Sequence, residues 1–282
     1  MSQITTLIEN TKLEGETLRI EHGLSLHLSL EGRNYLIDTG ASAAFVHNAE
    51  ALGIDLLNLD AVIISHNHYD HVGGLRHLLE LNTKVKVYIK RAAQGRFFSN
   101  AVVPYKPLGG AEMLIEEYAD RFVFVEDSLA LGDDIELLSN TNHDPHFFCK
   151  STNLLEQVTS DTYIPDRFVH ELFVAVRRAD GLVIVSSCSH NGIVNIVRSV
   201  QQLYPHTPIK TIVGGFHMVG RNKAASINSS AEYIEEVADI LASSCSGDIY
   251  TCHCTGAMAY DIMKQRLPRK ISYLRAGDRI KI

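Results

Sequence analysis

The chain has 282 residues, of which 45% are hydrophobic and 21% are charged, and its formal net charge is −7 at pH 7. This composition is typical of a folded globular protein and excludes disorder as the dominant state. The acidic balance argues against nucleic-acid and anionic-membrane partners, and no apolar run reaches the roughly 20 residues of a membrane span.

The start of the chain shows no signal-peptide pattern, and the five cysteines show no disulfide framework. Both observations predict a cytoplasmic protein in a reducing compartment. The expected partner is a small-molecule substrate, with no nucleic acid and no membrane, and the sequence leaves the oligomeric state open. The 14 histidines are more than an ordinary chain of this length contains, so their positions guide the search for a site.

The first half of the chain is predicted to be rich in strands, with helices between them. Alternating polar and apolar residues, β-branched runs and turn signals predict these elements. In chain order they are strands over 18–30 and 34–38, a helix over 43–52, a strand over 61–65, a helix over 72–81, and strands over 85–89, 122–125 and 135–138. Two segments near 91–117 and 140–166 show little periodicity, and long loops of this kind are often functional. They are predicted to be irregular insertions that form a pocket.

The second half is predicted to alternate strands with helices after one hairpin. Its expected elements are strands over 172–177 and 182–186, a helix over 193–203, a strand over 209–213, a helix over 230–243, a strand over 249–251, a helix over 257–267 and a strand over 271–274. No linker or change in composition separates the two halves. The sequence therefore predicts a single α/β domain over 1–282, with two sheets covered by helices.

A group of potential metal ligands lies between a buried strand and a helix. His66, His68, Asp70 and His71 fall within six residues, just before a Gly-Gly-Leu helix start. Such closely spaced side chains converge on one point only in a tight turn. Neutral imidazole suits Zn, Fe and similar cations, and carboxylate adds a harder ligand. Solvated loop histidines explain a single histidine well, but they do not explain this set, so a metal site is predicted.

This motif resembles the metallo-β-lactamase superfamily, and other segments extend the resemblance. Asp38-Thr39-Gly40 follows an early strand, as in the first motif of that superfamily, and His190 and His253 follow later strands, where further ligands are expected. The sequence is most similar to the subfamily named for 7,8-dihydropterin-6-methyl-4-(β-D-ribofuranosyl)aminobenzene 5′-phosphate synthase. That similarity lies in Glu21-His22-Gly23-Leu24-Ser25, the run from Cys188 to Ile196, Gly214-Gly215-Phe216-His217 and His253-Cys254-Thr255-Gly256.

The resemblance implies an αββα sandwich of two mixed β-sheets flanked by helices. It also implies two metal positions, the first bound by His66, His68 and His190 and the second by Asp70, His71 and His253. Asp38 would hydrogen-bond a ligand histidine and so orient its ring, although an Asx-turn at the same residue is equally compatible. The cofactor is a divalent metal, one or two ions, with Zn²⁺ as the default and Mn²⁺ or Fe²⁺ as physically reasonable alternatives.

One motif departs from the superfamily pattern. Most dinuclear members have a bridging aspartate at the end of the fourth-motif strand, where this chain has His217. His217 is therefore a candidate ligand or acid/base, and a structural histidine is the alternative. Cys188 and Cys254 flank proposed ligands, but buried inert thiols are commoner, so they are left out of the ligand set. His170 and Glu171 begin a strand next to the predicted site and are candidates for it, but surface pairing is the favoured interpretation.

The resemblance implies an enzyme in which a metal lowers the pKa of bound water and so supplies hydroxide. Asp70 would hold that hydroxide, and His217 would protonate the leaving group. The main hypothesis is a metal-dependent hydrolase of a small ester or phosphoester. The alternatives are a pterin–arylamine transferase and a non-catalytic metal sensor. Phe97 and Tyr105 are predicted to stack on a planar substrate and Lys106 to meet a phosphate, with packing of the insertion onto the body as the alternative.

Overall fold

The computed structural model describes residues 2–220 and 223–282, without the side chains of 223–225. Its strands are β1 (Gln3–Ile8), β2 (Ser25–Leu30), β3 (Arg33–Ile37), β4 (Ala61–Ile64), β5 (Val87–Lys90), β6 (Arg96–Ser99), β7 (Lys106–Pro107), β8 (Phe122–Val125), β9 (Ser128–Ala130), β10 (Ile135–Leu138), β11 (Leu154–Gln157), β12 (Tyr163–Pro165), β13 (Phe173–Arg178), β14 (Gly181–Ser186), β15 (Ile209–Gly214), β16 (Val219–Gly220), β17 (Lys223–Ile227), β18 (Cys245–Thr251), β19 (Ile271–Tyr273) and β20 (Arg279–Lys281). Its α-helices are α1 (Ala44–Ala51), α2 (Tyr69–Val72), α3 (Leu75–Leu81), α4 (Ala111–Glu117), α5 (Ile193–Leu203), α6 (Ala231–Ser244) and α7 (Ala257–Arg266). Across the described ranges, every helix is too short or too polar to cross a lipid bilayer.

The chain divides into two compact units, and each unit collects segments from separate parts of the sequence. The first unit consists of Met1–Glu126, Thr152–His170 and Arg275–Ile282, and the second consists of Asp127–Ser151 and Glu171–Leu274. The single domain over 1–282 stays a prediction.

The first unit contains a seven-stranded mixed sheet in the order β20-β1-β2-β3-β4-β5-β8. Pairing is antiparallel from β20 to β3 and parallel from β3 to β8. Apolar residues of α1, α3 and α4 pack with the sheet in one buried core, in which Phe45, Leu78 and Leu114 represent the three helices. Their removal from water is the main stabilisation of this unit.

The second unit repeats this plan with a sheet in the order β19-β18-β15-β14-β13-β10-β9. Pairing is parallel from β19 to β14 and antiparallel from β14 to β9. Residues of α5, α6 and α7 pack on it in a second core. The helix predicted over 193–203 has the predicted bounds, because its apolar residues recur with helical spacing and form one buried face.

The two segments expected to be irregular contain regular structure. The strands β6, β7, β11 and β12 form a separate four-stranded sheet in the first unit, and α4 ends the earlier segment. The strands have at most four residues, too few for a clear alternation. The neighbours Phe97 and Phe98 are moreover both buried. The prediction of irregular structure was therefore wrong for these strands.

Candidate metal centre

The predicted site residues follow parallel strands in both units. Asp38 and His66 follow β3 and β4 in the first unit, while His190, His217 and His253 follow β14, β15 and β18 in the second unit. The carboxyl ends of neighbouring parallel strands lie at one edge of a sheet, where α/β proteins commonly bind ligands. Each sheet therefore presents its own group of polar side chains at such an edge.

The backbone at these strand ends is unusual. Left-handed φ angles occur at Asp38 (59°), Ser189 (55°), His217 (48°) and His253 (49°). Non-glycine residues adopt this region infrequently, and each instance has a free-energy cost of roughly 1–3 kcal/mol. Residues held in such conformations cluster at functional sites. The surrounding structure thus enforces the conformation of these four turns.

Asp38 organises the turn of the first unit that contains the predicted ligands. Its Oδ1 accepts a hydrogen bond from the Ser65 N–H at 2.7 Å, and its Oδ2 accepts one from the Ser65 hydroxyl at 2.7 Å. The same Oδ2 lies 2.7 Å from His71 Nδ1. A proton on Nδ1 satisfies this contact and leaves the lone pair on Nε2 for a cation. This is the contact expected of Asp38, while the ligand role of His71 stays a prediction.

His66, His68 and Asp70 lie in the same buried turn. His66 Nδ1 is 2.8 Å from the Ser65 hydroxyl, and His66 Nε2 is 3.1 Å from His68 Nδ1. The rings of His66 and His71 are 4.2 Å apart, and Asp70 Oδ2 lies 3.8 Å from His71 Nε2. Burial lowers the pKa of His68 to about 3. The imidazole of His68 is therefore neutral at physiological pH, the form that binds a metal.

Two further residues meet this cluster: Asp166, which sequence reasoning missed, and His170, which it assigned to a surface pair. Asp166 Oδ2 lies 3.9 Å from His68 Nε2 and 3.1 Å from His170 Nε2. The Asn67 N–H donates to His170 Nδ1 at 3.1 Å, so His170 carries its proton on Nε2, facing Asp166. Burial disfavours the carboxylate, yet contacts with His170 and His68 hold the pKa of Asp166 below its ordinary value.

The expectation that His170 and Glu171 form surface pairs was wrong. His170 is 0% exposed and Glu171 is 4% exposed. Glu171 accepts hydrogen bonds from the His190 N–H at 2.6 Å, the Asn191 N–H at 2.9 Å and the Asn191 side-chain amide at 2.8 Å. Water does not reach these polar groups in the interior, so the Glu171 carboxylate supplies the hydrogen bonds that water would otherwise make. The buried carboxylate thereby fixes the turn after β14 that presents His190. The spacing of Asp166 and His170, four residues apart after β12, is the only sequence signal that points to this region.

His217 lies among histidine and cysteine side chains of the second unit. Its ring centroid is 4.1 Å from that of His190, and its Nε2 lies 3.0 Å from the Ser151 hydroxyl. The His217 N–H donates to Cys254 Sγ at 3.3 Å. Burial opposes the charged imidazolium, but the neighbouring Cys149 and Cys254 raise the pKa of His217 above its ordinary value. Burial likewise opposes the thiolate, while contacts with Cys188 and His217 hold the pKa of Cys254 below its ordinary value.

The turn containing His253 is joined to the turn containing His217. The Thr251 hydroxyl donates to the Gly214 carbonyl at 3.0 Å, and the Phe216 N–H donates to Thr255 Oγ1 at 2.8 Å. These bonds connect the ends of β15 and β18. His253 begins the short 3₁₀ turn that follows β18. The structure thus brings His66, His68, Asp70 and His71 together in the first unit, and His190 and His217 together in the second. The predicted ligand sets have members in both units and stay predictions.

Comparisons with known proteins agree with this architecture. A model of the metallo-beta-lactamase superfamily matches residues 25–148 of the chain. The solved structure of a metal-dependent hydrolase of the beta-lactamase superfamily is 28% identical, with a TM-score of 0.83 over 100% of this chain and 99% of that one. The protein has the metallo-β-lactamase fold. The predicted fold class and the predicted resemblance to this superfamily are confirmed.

Two other proteins extend the comparison. A relative from Methanocaldococcus jannaschii is 28% identical over 99% of this chain and 96% of its own length. It is named 7,8-dihydropterin-6-methyl-4-(beta-D-ribofuranosyl)-aminobenzene-5′-phosphate synthase. The Zn²⁺-bound PqqB of Methylobacterium extorquens is 11% identical, with a TM-score of 0.58 over 99% of this chain and 100% of that one, a likeness of fold alone.

The predicted substrate-contact residues of this metallo-β-lactamase fold differ in exposure. Phe97 is 2% exposed, and its ring stacks on His170 with the centroids 3.8 Å apart. Tyr105 is 41% exposed and meets the edge of Tyr163. Lys106 Nζ lies 4.8 Å from the centre of the Tyr69 ring. Phe97 therefore packs beside the histidine cluster, whereas Tyr105 faces solvent, and the substrate roles of all three residues stay predictions.

The donor set of the first unit fits a divalent cation. Its histidines are buried, His68 is neutral at physiological pH, and the Asp38 contact leaves His71 Nε2 as a lone-pair donor. Asp70 adds a carboxylate to this turn. Nitrogen donors with one carboxylate suit Zn²⁺, Fe²⁺ or Mn²⁺, so the chemistry of the residues agrees with the metal that the fold implies.

Proposed function

We propose that the protein is a metal-dependent hydrolase of a small ester or phosphoester. The proposal rests on one observation, the buried turn in which Asp38 contacts His71, Ser65 contacts His66, and His68 and Asp70 lie beside these two rings. We propose the metal ligands predicted from the sequence, namely His66, His68 and His190 for one ion and Asp70, His71 and His253 for the other. A bound divalent cation lowers the pKa of water and polarises a carbonyl or phosphoryl oxygen of the substrate.

The protein side chains hold this arrangement and handle protons. Asp38 orients the His71 ring, and Glu171 fixes the backbone from which His190 projects. Asp70 Oδ2 lies 3.4 Å from His22 Nε2, and His22 is partly exposed. We assign Asp70 the role of proton acceptor for an attacking water, with His22 as the group that passes the proton to solvent. His217 keeps two candidate roles at this stage, ligand and proton donor.

A second candidate function is transfer of an arylamine to a pterin. The archaeal synthase that matches nearly the full length of the chain favours it, at the same 28% identity as the hydrolase structure. In this reaction the amine nitrogen bonds to the methylene carbon of a hydroxymethylpterin pyrophosphate. Pyrophosphate leaves with the electron pair of the broken C–O bond, and the amine loses a proton. The same metal ligands would serve, because the metal would neutralise the leaving pyrophosphate.

One assay separates the candidates. Metal-loaded protein is incubated with a panel of phosphoesters, carboxylic esters and lactones, and in parallel with a hydroxymethylpterin pyrophosphate and an arylamine. Hydrolysis that is lost in Asp70→Asn and retained in His77→Ala, a matched change of an exposed histidine on α3, supports the hydrolase. Pyrophosphate release that requires the amine supports the transferase. Full metal content without either reaction would contradict both the hydrolase and the transferase proposals and would favour the hypothesis of a non-catalytic metal sensor.

A further inference from the structure

Two thiols and one imidazole form a compact group in the second unit, which we call the thiol–imidazole cluster. It consists of Cys188, His217 and Cys254, in the turns after the parallel strands β14, β15 and β18. One potential ligand atom from each residue lies within 4.8 Å of the other two. Cys188 and Cys254 are buried, and both lie outside the proposed ligand sets. Three donors on adjacent strand ends are thus gathered at one point, and the two thiols have no role in the proposed reaction.

The hydrogen bonds of His217 leave one of its two ring nitrogens available to a cation. Ser151 Oγ lies 3.0 Å from Nε2, a contact that a proton on Nε2 satisfies. In that tautomer the lone pair is on Nδ1. Nδ1 is buried and makes no hydrogen bond within the described part of the chain. A hydroxyl that fixes one nitrogen and so presents the other is the usual arrangement around a metal-binding histidine.

Backbone geometry makes room for the sulfur of Cys254. A Cβ atom at Gly215 would lie 2.5 Å from Cys254 Sγ, so a larger residue there would displace the sulfur. The His217 N–H points at the same sulfur, and the left-handed backbone of His217 sets this direction. N–H groups that donate to a sulfur stabilise its thiolate form, which is the form that binds metals. The Cys254 sulfur thus accepts a hydrogen bond from the His217 N–H and donates one to the Cys188 carbonyl at 3.6 Å, and a bound cation would replace the donated proton.

We propose that Cys188, Cys254 and Nδ1 of His217 bind a thiophilic divalent cation, with Zn²⁺ as the preferred ion. Zinc takes sulfur at about 2.3 Å and nitrogen at about 2.0–2.1 Å, which in a tetrahedral site separates the ligand atoms by about 3.5–3.8 Å. The separations of up to 4.8 Å close to this range by small side-chain rotations. Binding would form two Zn–S bonds and one Zn–N bond and would release two protons to solvent, one from Cys188 and one that Cys254 and His217 share. Three protein ligands leave one coordination position open.

The test is the absorption spectrum of the full-length protein loaded with Co²⁺, which replaces Zn²⁺ and shows thiolate-to-metal charge-transfer bands. The wild-type protein should show these bands. Cys188→Ser and Cys254→Ser should each weaken the bands and lower the affinity for Co²⁺ by at least about tenfold. Cys245→Ser is the matched control, because Cys245 is also buried but begins β18 at the opposite end of the strand. That variant should keep the wild-type spectrum.

Two outcomes overturn the proposal. A wild-type protein that binds Co²⁺ without charge-transfer bands overturns it whether or not the serine variants fold. Bands that persist at full strength in both Cys188→Ser and Cys254→Ser overturn it as well.

The His66→Ala/His68→Ala double variant separates this inference from the proposed hydrolysis. It should lose the hydrolytic activity and keep the charge-transfer bands, because the thiol–imidazole cluster does not use those residues. Loss of the bands in a folded double variant would overturn the separate site. Retained bands in a wild-type protein without activity would count only against the hydrolase.

Discussion

The two units share a sheet plan and differ in the ligands that they present. Each unit has a mixed sheet whose parallel strands end at potential ligands. In the first unit these ligands are histidines with carboxylates, and in the second they are histidines with thiols. Oxygen and imidazole donors accept several divalent cations, whereas thiolates favour zinc and softer ions. The two proposed sites would place two kinds of metal chemistry on one strand plan.

The units also differ in how a buried carboxylate holds the turn. In the first unit, Asp38 contacts the imidazole of His71 directly. In the second unit, Glu171 accepts hydrogen bonds from the backbone N–H groups of His190 and Asn191. Loss of Asp38 should therefore act mainly on metal affinity, and loss of Glu171 should act mainly on stability.

The largest expected effect is removal of two predicted ligands from the first unit. His66→Ala/His68→Ala should abolish binding of the ion at the first position, because a site rarely survives the loss of two protein ligands. Elemental analysis of the purified variant checks this result, with His77→Ala as the control. Unchanged metal content would show that this turn does not bind the ion.

Replacing Glu171 should have the next largest effect. Glu171→Gln removes a buried charged acceptor of three N–H groups, and hydrogen bonds to charged groups contribute about 1.5–3 kcal/mol each. The free energy of unfolding of the metal-free protein, measured by urea titration, should fall by about 1.5–3 kcal/mol, the contribution of one such hydrogen bond. A change smaller than that of an exposed control such as Glu235→Gln would contradict a structural role for Glu171.

Replacing Asp38 should weaken metal binding more selectively. Asp38→Asn keeps the shape of the side chain but loses the charge beside His71 Nδ1, and such outer partners typically change metal affinity by about 10–100-fold. Competition with a chelator measures the affinity for Zn²⁺. Wild-type affinity in a folded variant would mean that the contact between Asp38 and His71 does not serve a metal.

The smallest effect at neutral pH is that of His68 on the pH dependence of stability, which develops only as the pH falls. His68 in the unfolded chain binds a proton below its ordinary pKa of 6.5, whereas in the folded protein burial lowers this pKa to about 3. Between these values the unfolded state binds more protons, so stability should fall as the pH falls. The slope attributable to His68 is about 1.4 kcal/mol per pH unit. His68→Gln should remove this slope in urea titrations of the metal-free protein, and an unchanged slope would contradict the shift.

The sequence predicts those parts of the site that are local in the chain. His66, His68, Asp70 and His71 are recognisable because strand, turn and helix follow one another within a few residues. Asp166 was missed and Glu171 was assigned to surface pairs because His68 and His190, which they contact, lie in other segments of the chain, and a lone acidic residue has no pattern of its own. The small sheet of β6, β7, β11 and β12 was missed for a related reason. Its strands are too short for periodicity and depend on pairing between residues far apart in the chain, as between Phe98 and Leu155, which are 57 positions apart.

In the left-handed turns described above, the residues that would serve the proposed site are not the residues that best fit the backbone. Glycine adopts this backbone without a steric penalty, and asparagine tolerates it better than most other residues. A laboratory selection for thermal endurance alone would therefore favour glycine at Ser189, His217 and His253, where the present residues hold positive φ angles. Such a selection would gain stability and lose two imidazoles, so durable variants of this protein should be sought at other positions.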